Sequence, residues 1–342
     1  MNEHELAILR QFCLDAEPAS CTPYGCGHIN RTYLVATAGG RCYILQKINH
    51  HTFRDVAGLM ENIELVTEHL RRKSPDPRSV LTLIRTKDGK SYLEADDGYW
   101  RVFRFVEDSI CLQQPESDAD FYESAVGFGT FQQLLSDFPA EKLHETIPNF
   151  HNTPDRYRAF LETLTRDPMH RAAQVQPEIE FALARQAEMA ALQNALDAGE
   201  LPLRVTHNDT KLNNVLFDAK TRRALCIIDL DTVMPGSALY DYGDSIRFGA
   251  ATAAEDEREL DKMEMSLERF RVFTRGYVRA CPGLTQKELE LLPLGAKVMT
   301  MECGVRFLTD HIDGDNYFSI HREGQNLDRA RTQFKLVAEM ER

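Results

Sequence analysis

The sequence predicts an α+β fold in two lobes. Residues 1–106 form an antiparallel sheet lobe with one main helix, and residues 107–342 form a larger, mostly α-helical lobe. Three observations predict this. Before Val106, apolar residues alternate in short runs broken by glycine turns, the period-two signature of strands. Beyond it they recur at three- and four-residue spacing, as on helices. One exception lies inside the helical part: the apolar runs 215–217 and 225–228, separated by the polar stretch 218–223, read as a hairpin.

The hairpin is flanked by the two stretches that carry chemistry. Before it stands His207-x-Asp209-x-Lys211-x-x-Asn214, and after it Asp229-x-Asp231. Asp209, Asn214 and Asp229 are hard oxygen ligands or proton acceptors, and Lys211 is a fixed cation among them. Mg²⁺ takes one or two such oxygens and leaves the rest of its shell to phosphate and water. In phosphoryl transfer a carboxylate orients the attacking hydroxyl while cations hold the γ-phosphoryl group. A loop of this pattern, a hairpin and then a metal-binding Asp is the arrangement of protein kinases, so the bilobal fold is expected to be protein-kinase-like. Asp209 and Lys211 are the expected catalytic pair. Asn214, Asp229 and Asp231 are the expected metal set, with Asp231 holding a second ion or only orienting the loop.

Taken in order, residues 4–16 read as an amphipathic helix. Tyr24-Gly25-Cys26-Gly27-His28-Ile29-Asn30 is a turn whose Gly25 and Gly27 let backbone N–H groups approach a phosphate. His28 and Asn30 face the site or are ordinary turn residues. The strand 41–49 carries Gln46 where a kinase places the lysine that holds phosphates. Either Gln46 acts as a neutral donor, or a register shift presents Lys47. Helix 56–72 offers Glu64 as a partner for a strand cation, or as a solvated acid. Runs 80–86, 91–95 and 100–106 complete the sheet. The hinge 105–108 then offers backbone near Phe105 and Glu107 to an adenine edge. Helices follow over 118–138 and 177–198, with 150–156 as a loop whose His151 reaches a substrate pocket or, the favoured reading, is an ordinary loop histidine. Asp241, at the start of another helix, is placed to brace the catalytic loop or to cap the helix. Helices over 267–280, 286–292, 295–311 and 327–341 close the chain. Arg306, on an otherwise apolar stretch, needs an acid or an anionic or polyhydroxyl ligand.

Composition narrows the partners. A net charge of −13 excludes nucleic acid and anionic membrane as main partners, since both need a basic footprint. The eight cysteines include no C-x-x-C pair, which argues for reduced thiols over a zinc site or disulfide framework. An acidic N-terminus and the lack of any ~20-residue apolar run predict no leader or anchor and a cytoplasmic protein. Nothing sets an oligomeric state, and a monomer is the default expectation.

The chain resembles the aminoglycoside-phosphotransferase and choline-kinase-like family of small-molecule kinases over nearly its full length. The catalytic motifs at 203–214 and 227–232 and Gly-Asp-Ser-Ile-Arg-Phe-Gly-Ala at 243–250 carry the likeness. Pro-Tyr-Gly-x-Gly-His-Ile-Asn at 23–30, Tyr-Ile-Leu-Gln at 43–46 and Met-Glu-Cys-Gly at 301–304 point to its N-acetylhexosamine 1-kinases. The resemblance implies ATP- and Mg²⁺-dependent phosphorylation of the anomeric hydroxyl of N-acetylglucosamine or N-acetylgalactosamine. It makes Asp209 the base and Asn214 and Asp229 metal ligands, with His28, Arg306 and Tyr317 near the sugar. Lys47 departs from the pattern, where a neutral residue is expected.

Three readings compete. One is a kinase for another small alcohol, such as homoserine, an aminoglycoside or a different sugar. The second is a nucleotide-binding pseudokinase, kept open by the missing strand lysine. A metal-dependent hydrolase built on His207-x-Asp209 has too few histidine ligands.

Overall fold

The computed structural model describes residues 3–25 and 29–342. The chain divides into two compact units, each assembled from several stretches. The first comprises Met1–Cys111, Glu141–Pro148 and Leu216–Met234, and the second Leu112–Ala140, Asn149–Val215 and Pro235–Arg342.

The first unit is built on an antiparallel sheet. Its strands lie in the order Pro18–Pro23, Arg31–Thr37, Cys42–Ile48, Gly98–Arg104 and Leu83–Ile84, with Leu93–Ala95 also paired to Gly98–Arg104. Alternation sets the register. Val35, Tyr43, Leu45, Trp100 and Val102 turn to one core with Leu9 and Phe12, each such side chain worth about 1.5–3 kcal/mol on burial. The register also places Gln46 opposite Arg101 and Lys47 opposite Trp100. The single long helix, Val56–Lys73, starts where the Asp55 carboxylate accepts the Gly58 N–H and buries Leu59, Met60, Ile63 and Val66. The expected hairpin is present as Val215–Asp218 and Ala224–Ile227, and Ser109–Cys111 pairs along residues 216–218 as a third strand.

The second unit is helical. Its main members are Asp118–Leu134, Thr153–Arg166, Ala238–Gly249, Leu267–Ala280, Gln286–Asp313 and Gln325–Met340. Helices Ala238–Gly249 and Gln286–Asp313 cross so closely that a Cβ on Gly243 would stand 2.4 Å from the Gly295 carbonyl oxygen.

Several elements differ from expectation. The first helix is only Glu3–Leu9, because the chain turns at Phe12 to bridge Thr86 and gives the Cys13 N–H to the Arg85 carbonyl. The helix expected over 177–198 is three pieces, Gln176–Leu183, Gln186–Met189 and Ala191–Asp197. Its buried positions Ile179, Ala182, Met189, Leu192 and Ala195 wind around a straight axis, so no single rod presents them all to one core. Conversely, the break expected near Pro293 is absent, and Gln286–Asp313 runs through it from a Thr285/Glu288 capping box. Residues 153–166, read partly as loop, are a helix capped by the Asn152 side chain. No helix among the described residues is long and apolar enough to cross a membrane.

Candidate active site

The strand Arg204–Thr206 delivers the chain into the loop 207–214. His207 is fully buried, edge-on to the Phe128 and Phe131 rings, and its Nδ1 accepts the Asp209 N–H at 3.3 Å. It is a packing residue that shapes the loop. Asn208 takes a left-handed conformation (φ 65°), which asparagine tolerates better than most residues. Backbone groups of the loop are tied down from Ala238–Gly249. The Asp241 carboxylate accepts the N–H groups of His207 and Asn208 at 2.9 and 2.8 Å and the Gln132 amide at 2.8 Å. Asp244 accepts the Thr210 N–H at 2.9 Å, and Ser245 donates to the Thr210 carbonyl at 2.9 Å. Asp241 therefore braces the loop as expected, while Ser237 caps the helix.

The bracing leaves the Asp209 side chain turned to its own neighbours. Lys211 Nζ lies 2.8 Å from one oxygen, and Asn214 Nδ2 donates to the other at 3.2 Å and to the Asp209 carbonyl at 2.7 Å. Burial pushes the Asp209 carboxyl up, but Lys211, His207 and Arg247 outweigh it and hold it below the ordinary carboxylate range. The same pairing raises Lys211. Asp209 is thus an ionised acceptor at neutral pH with a quarter of its side chain exposed. Such a group orients a hydroxyl well and takes its proton only as that hydroxyl becomes acidic.

Farther along the second unit lies a feature the sequence only half revealed. Arg306 is surrounded by the rings of Phe150, Phe318 and Tyr317 at 5.3, 5.4 and 5.7 Å. Its one hydrogen bond is to the Tyr317 hydroxyl at 3.4 Å. Among the described residues no carboxylate lies within ion-pair distance of it, though the Glu302 charge acts on it, so of the two expectations for Arg306 a close structural salt bridge is not the one found. Nearby Arg156 donates twice to the Phe150 carbonyl. His151 is buried rather than an ordinary loop residue: Glu302 lies 2.8 Å from Nδ1 and the Asn208 carbonyl 3.2 Å from Nε2.

In the first unit, Asp229 follows the second hairpin strand in the left-handed region (φ 59°) and opens a tight turn over Leu230–Thr232. Asn30 Nδ2 donates to one Asp231 oxygen at 2.6 Å, and Arg101 forms an ion pair with the other at 2.6 Å, an oxygen that is buried and accepts no hydrogen bond among the described residues. The Asn30 bond and the ion pair fit the orienting role for Asp231. Gln46 accepts from Arg101 Nε at 3.0 Å and donates to Thr32. Lys47 points the other way, 2.6 Å from Asp97 and over the Trp100 ring, so no register shift presents it. Glu64 pairs with Arg85 at 2.9 Å and not with a cation of the strand 42–48. Gly25 has φ 79°, open to glycine at no steric cost. The Phe105 N–H closes the sheet onto the Cys42 carbonyl, so that donor is unavailable to a purine, while Glu107 is exposed. Gly27 and His28 lie outside the described residues.

Each unit carries an oxygen donor of the kind a hard divalent cation takes: in the second, Asn214 uses its amide nitrogen on Asp209 and keeps its side-chain oxygen, and in the first, Asp229 carries a carboxylate. No group of three or more His, Cys, Asp or Glu among the described residues forms a self-sufficient cage.

Comparison with known proteins agrees with these features. Residues 20–272 match the model of the phosphotransferase enzyme family, and the chain belongs to that family. Among solved structures, an aminopropanol kinase associated with a microcompartment superposes with a TM-score of 0.64 at 16% identity, covering 99% of this chain and 96% of its own. A spectinomycin phosphotransferase solved with ADP and spectinomycin gives 0.60 at 11% identity, covering 99% and 97%. A choline kinase from Cryptosporidium parvum gives 0.60 at 12%, covering 99% and 95%. An amicoumacin kinase solved with AMP-PNP and Ca²⁺ gives 0.61 at 13%, covering 98% and 93%. These likenesses establish the protein-kinase-like fold. Fold and family together define a kinase-type transferase.

Proposed function

We propose that the protein transfers the γ-phosphoryl group of ATP to the anomeric hydroxyl of an N-acetylhexosamine, N-acetylglucosamine or N-acetylgalactosamine, releasing ADP. Asp209 accepts a hydrogen bond from the 1-hydroxyl. As the new O–P bond forms and the bond to ADP breaks, the hydroxyl proton passes to Asp209 and then to solvent. The lowered Asp209 carboxyl supports a late proton transfer, in keeping with a loose transition state that needs positioning more than base strength. Lys211 holds Asp209 in place and adds positive charge beside the transferring group.

Asp229 and Asn214 would hold Mg²⁺, which would neutralise charge on the phosphates. Asp231 orients that turn. In this reading residues 1–106 form the nucleotide lobe and 107–342 the catalytic and acceptor lobe. Gly25 and Gly27 serve the phosphates, while Gln46 spends its amide on Arg101 and Thr32; backbone near Phe105 and Glu107 serves the adenine, and His28, Arg306 and Tyr317 serve the acceptor.

The observation that carries the substrate class is Arg306. A guanidinium ringed by aromatics, with no carboxylate at ion-pair distance among the described residues, suits a neutral, oxygen-rich acceptor, with a hydroxyl or an acyl carbonyl accepting from it. A cationic acceptor such as an aminoglycoside would want carboxylates there.

The test is ADP release with Mg-ATP across N-acetylglucosamine, N-acetylgalactosamine, galactose, homoserine and kanamycin, with phosphorus NMR of the product. The expected result is turnover of both acetylated sugars and a coupling between phosphorus and the anomeric proton. Turnover of kanamycin or homoserine instead would overturn the acceptor assignment and retain the kinase. Mg-ATP binding without turnover of any acceptor would favour the pseudokinase.

A further inference from the structure

Arg101 is the largest of the fully buried side chains, 1% exposed, and the reading above gives it no role. It stands on Gly98–Arg104 directly across from Gln46. Its Nε donates to Gln46 and its terminal nitrogen lies 2.6 Å from Asp231, with Met60 Sδ at 3.8 Å. A buried ion pair is weak evidence of stabilisation, because desolvation offsets most of the attraction, and an apolar pair of similar volume often serves a fold better. Its location suggests another purpose.

Three parts of the first unit converge on the turn that begins at Asp229. Arg101 and Asn30 hold the two oxygens of Asp231. From the far end, the fully buried Asn62 of helix Val56–Lys73 donates to the Val233 carbonyl at 3.0 Å and to the His144 carbonyl at 2.8 Å. Asn30 is itself fixed, since its Oδ1 accepts the Asn49 N–H at 2.9 Å. The left-handed Asp229 is thus followed, two and four residues later, by anchored positions. A residue held in that conformation without glycine's freedom relies on its surroundings to keep it there.

We infer that Arg101 is a positioning residue for Asp229: with Asn30 and Asn62 it clamps the turn 229–233 so that the Asp229 carboxylate is presented in one geometry. Arg101 Nε is directed by its hydrogen bond to Gln46, and that bond sets the guanidinium charge against Asp231 in an ion pair; a lysine ammonium on a flexible stem has no second group for Gln46 to orient. This also accounts for a glutamine where a lysine was expected on the strand Cys42–Ile48. Gln46 orients Arg101 through an accepting oxygen that lysine lacks. The inference rests on the proposed role of Asp229 as a metal ligand, but its structural half does not.

The experiment uses the full chain with four sequences: wild type, Arg101→Lys, Arg101→Met, and Arg101→Met with Asp231→Leu. The first readout is amide hydrogen exchange without metal or nucleotide. The expected result is exchange at 229–233 faster by about tenfold or more in Arg101→Lys, with hairpin residues 215–227 unchanged, since local opening reports on local anchoring. Unchanged exchange at 229–233 would overturn the clamp. The second readout is the ratio of affinities for AMP-PNP with and without Mg²⁺. It should fall about tenfold in Arg101→Lys while metal-free binding stays within about twofold, the signature of lost orientation rather than lost charge.

Should Arg101→Met not fold, the double variant takes its place, as it leaves no unpaired buried charge. It should regain the wild-type unfolding midpoint without regaining the Mg²⁺-dependent ratio. Recovery of both would overturn the inference and make the pair merely structural. Absence of Mg²⁺-dependent binding in wild type would count against the kinase reading alone, and the exchange result would still decide the clamp.

Discussion

The loop 207–214 and the turn 229–233 are held by opposite means. The loop is held through its backbone: Asp241 and Asp244 accept N–H groups of His207, Asn208 and Thr210. The turn is held chiefly through a side chain, with Asp231 between Arg101 and Asn30, and at its far end by Asn62 on the Val233 carbonyl. Backbone bracing spends no oxygen of Asp209, which keeps its carboxylate for its own neighbours Lys211 and Asn214. The lesson is that the partners of an acid's oxygens, more than its place in the sequence, show what holds it.

Changes to the loop's brace should have the largest effect. Asp241→Asn replaces one accepting oxygen by an NH₂ group facing backbone N–H donors, leaving buried groups unpaired at about 1–3 kcal/mol each. Denaturant unfolding should show a loss of that order. Turnover should fall by about a hundredfold or more, because small misplacements of a positioned group cost that much. Normal turnover in that variant would break the comparison. Next in size is Gly243→Ala, whose Cβ meets the Gly295 carbonyl in the helix crossing that supports Asp241 and Asp244. Overpacking of this kind costs about 1–3 kcal/mol, read as a lower unfolding midpoint.

A smaller, more selective effect is expected at the acceptor. Arg306→Ala should raise KM for the acetylated sugar by about tenfold, the loss of one charge-assisted hydrogen bond, and leave KM for ATP unchanged in steady-state kinetics. The smallest is Asp97→Asn. Burial raises the Asp97 carboxyl, but Lys47, Trp100 and His4 prevail and hold it at about 2. A depressed carboxyl contributes stability that is full above the unfolded value of about 3.9 and lost as pH falls through the folded one. The difference in unfolding midpoint between wild type and Asp97→Asn should therefore be constant from pH 8 to about 5 and vanish towards pH 2. A difference that grows on acidification would have the wrong sign.

What was legible in the sequence follows the same division. The hairpin, the long helix of the first unit and the Asp241 brace were legible because their signals are local: alternation, helical period, and an acid at a helix start 34 residues after the loop it serves. The clamp on the turn was not. Asn30 and Asp231 are 201 positions apart, and Arg101 reads in isolation as an ordinary strand arginine. Only the pairing of Gly98–Arg104 with Cys42–Ile48 brings it to Gln46. The broken helix over 176–197 was hidden because length and composition favour one rod, whereas the drift of its buried positions forbids it. Thr153–Arg166 was missed despite the Asn152 cap and Pro154, which announce a helix start.

The most direct test of the central claim compares wild type and Asp209→Asn with N-acetylglucosamine and Mg-ATP, measuring ADP release and AMP-PNP affinity on the same samples. General-base and orienting roles are worth about 10²–10⁴ in rate. The account predicts a fall of at least that size with nucleotide affinity within a few-fold of wild type. Turnover close to wild type would remove Asp209 from the chemistry and with it the proposed mechanism.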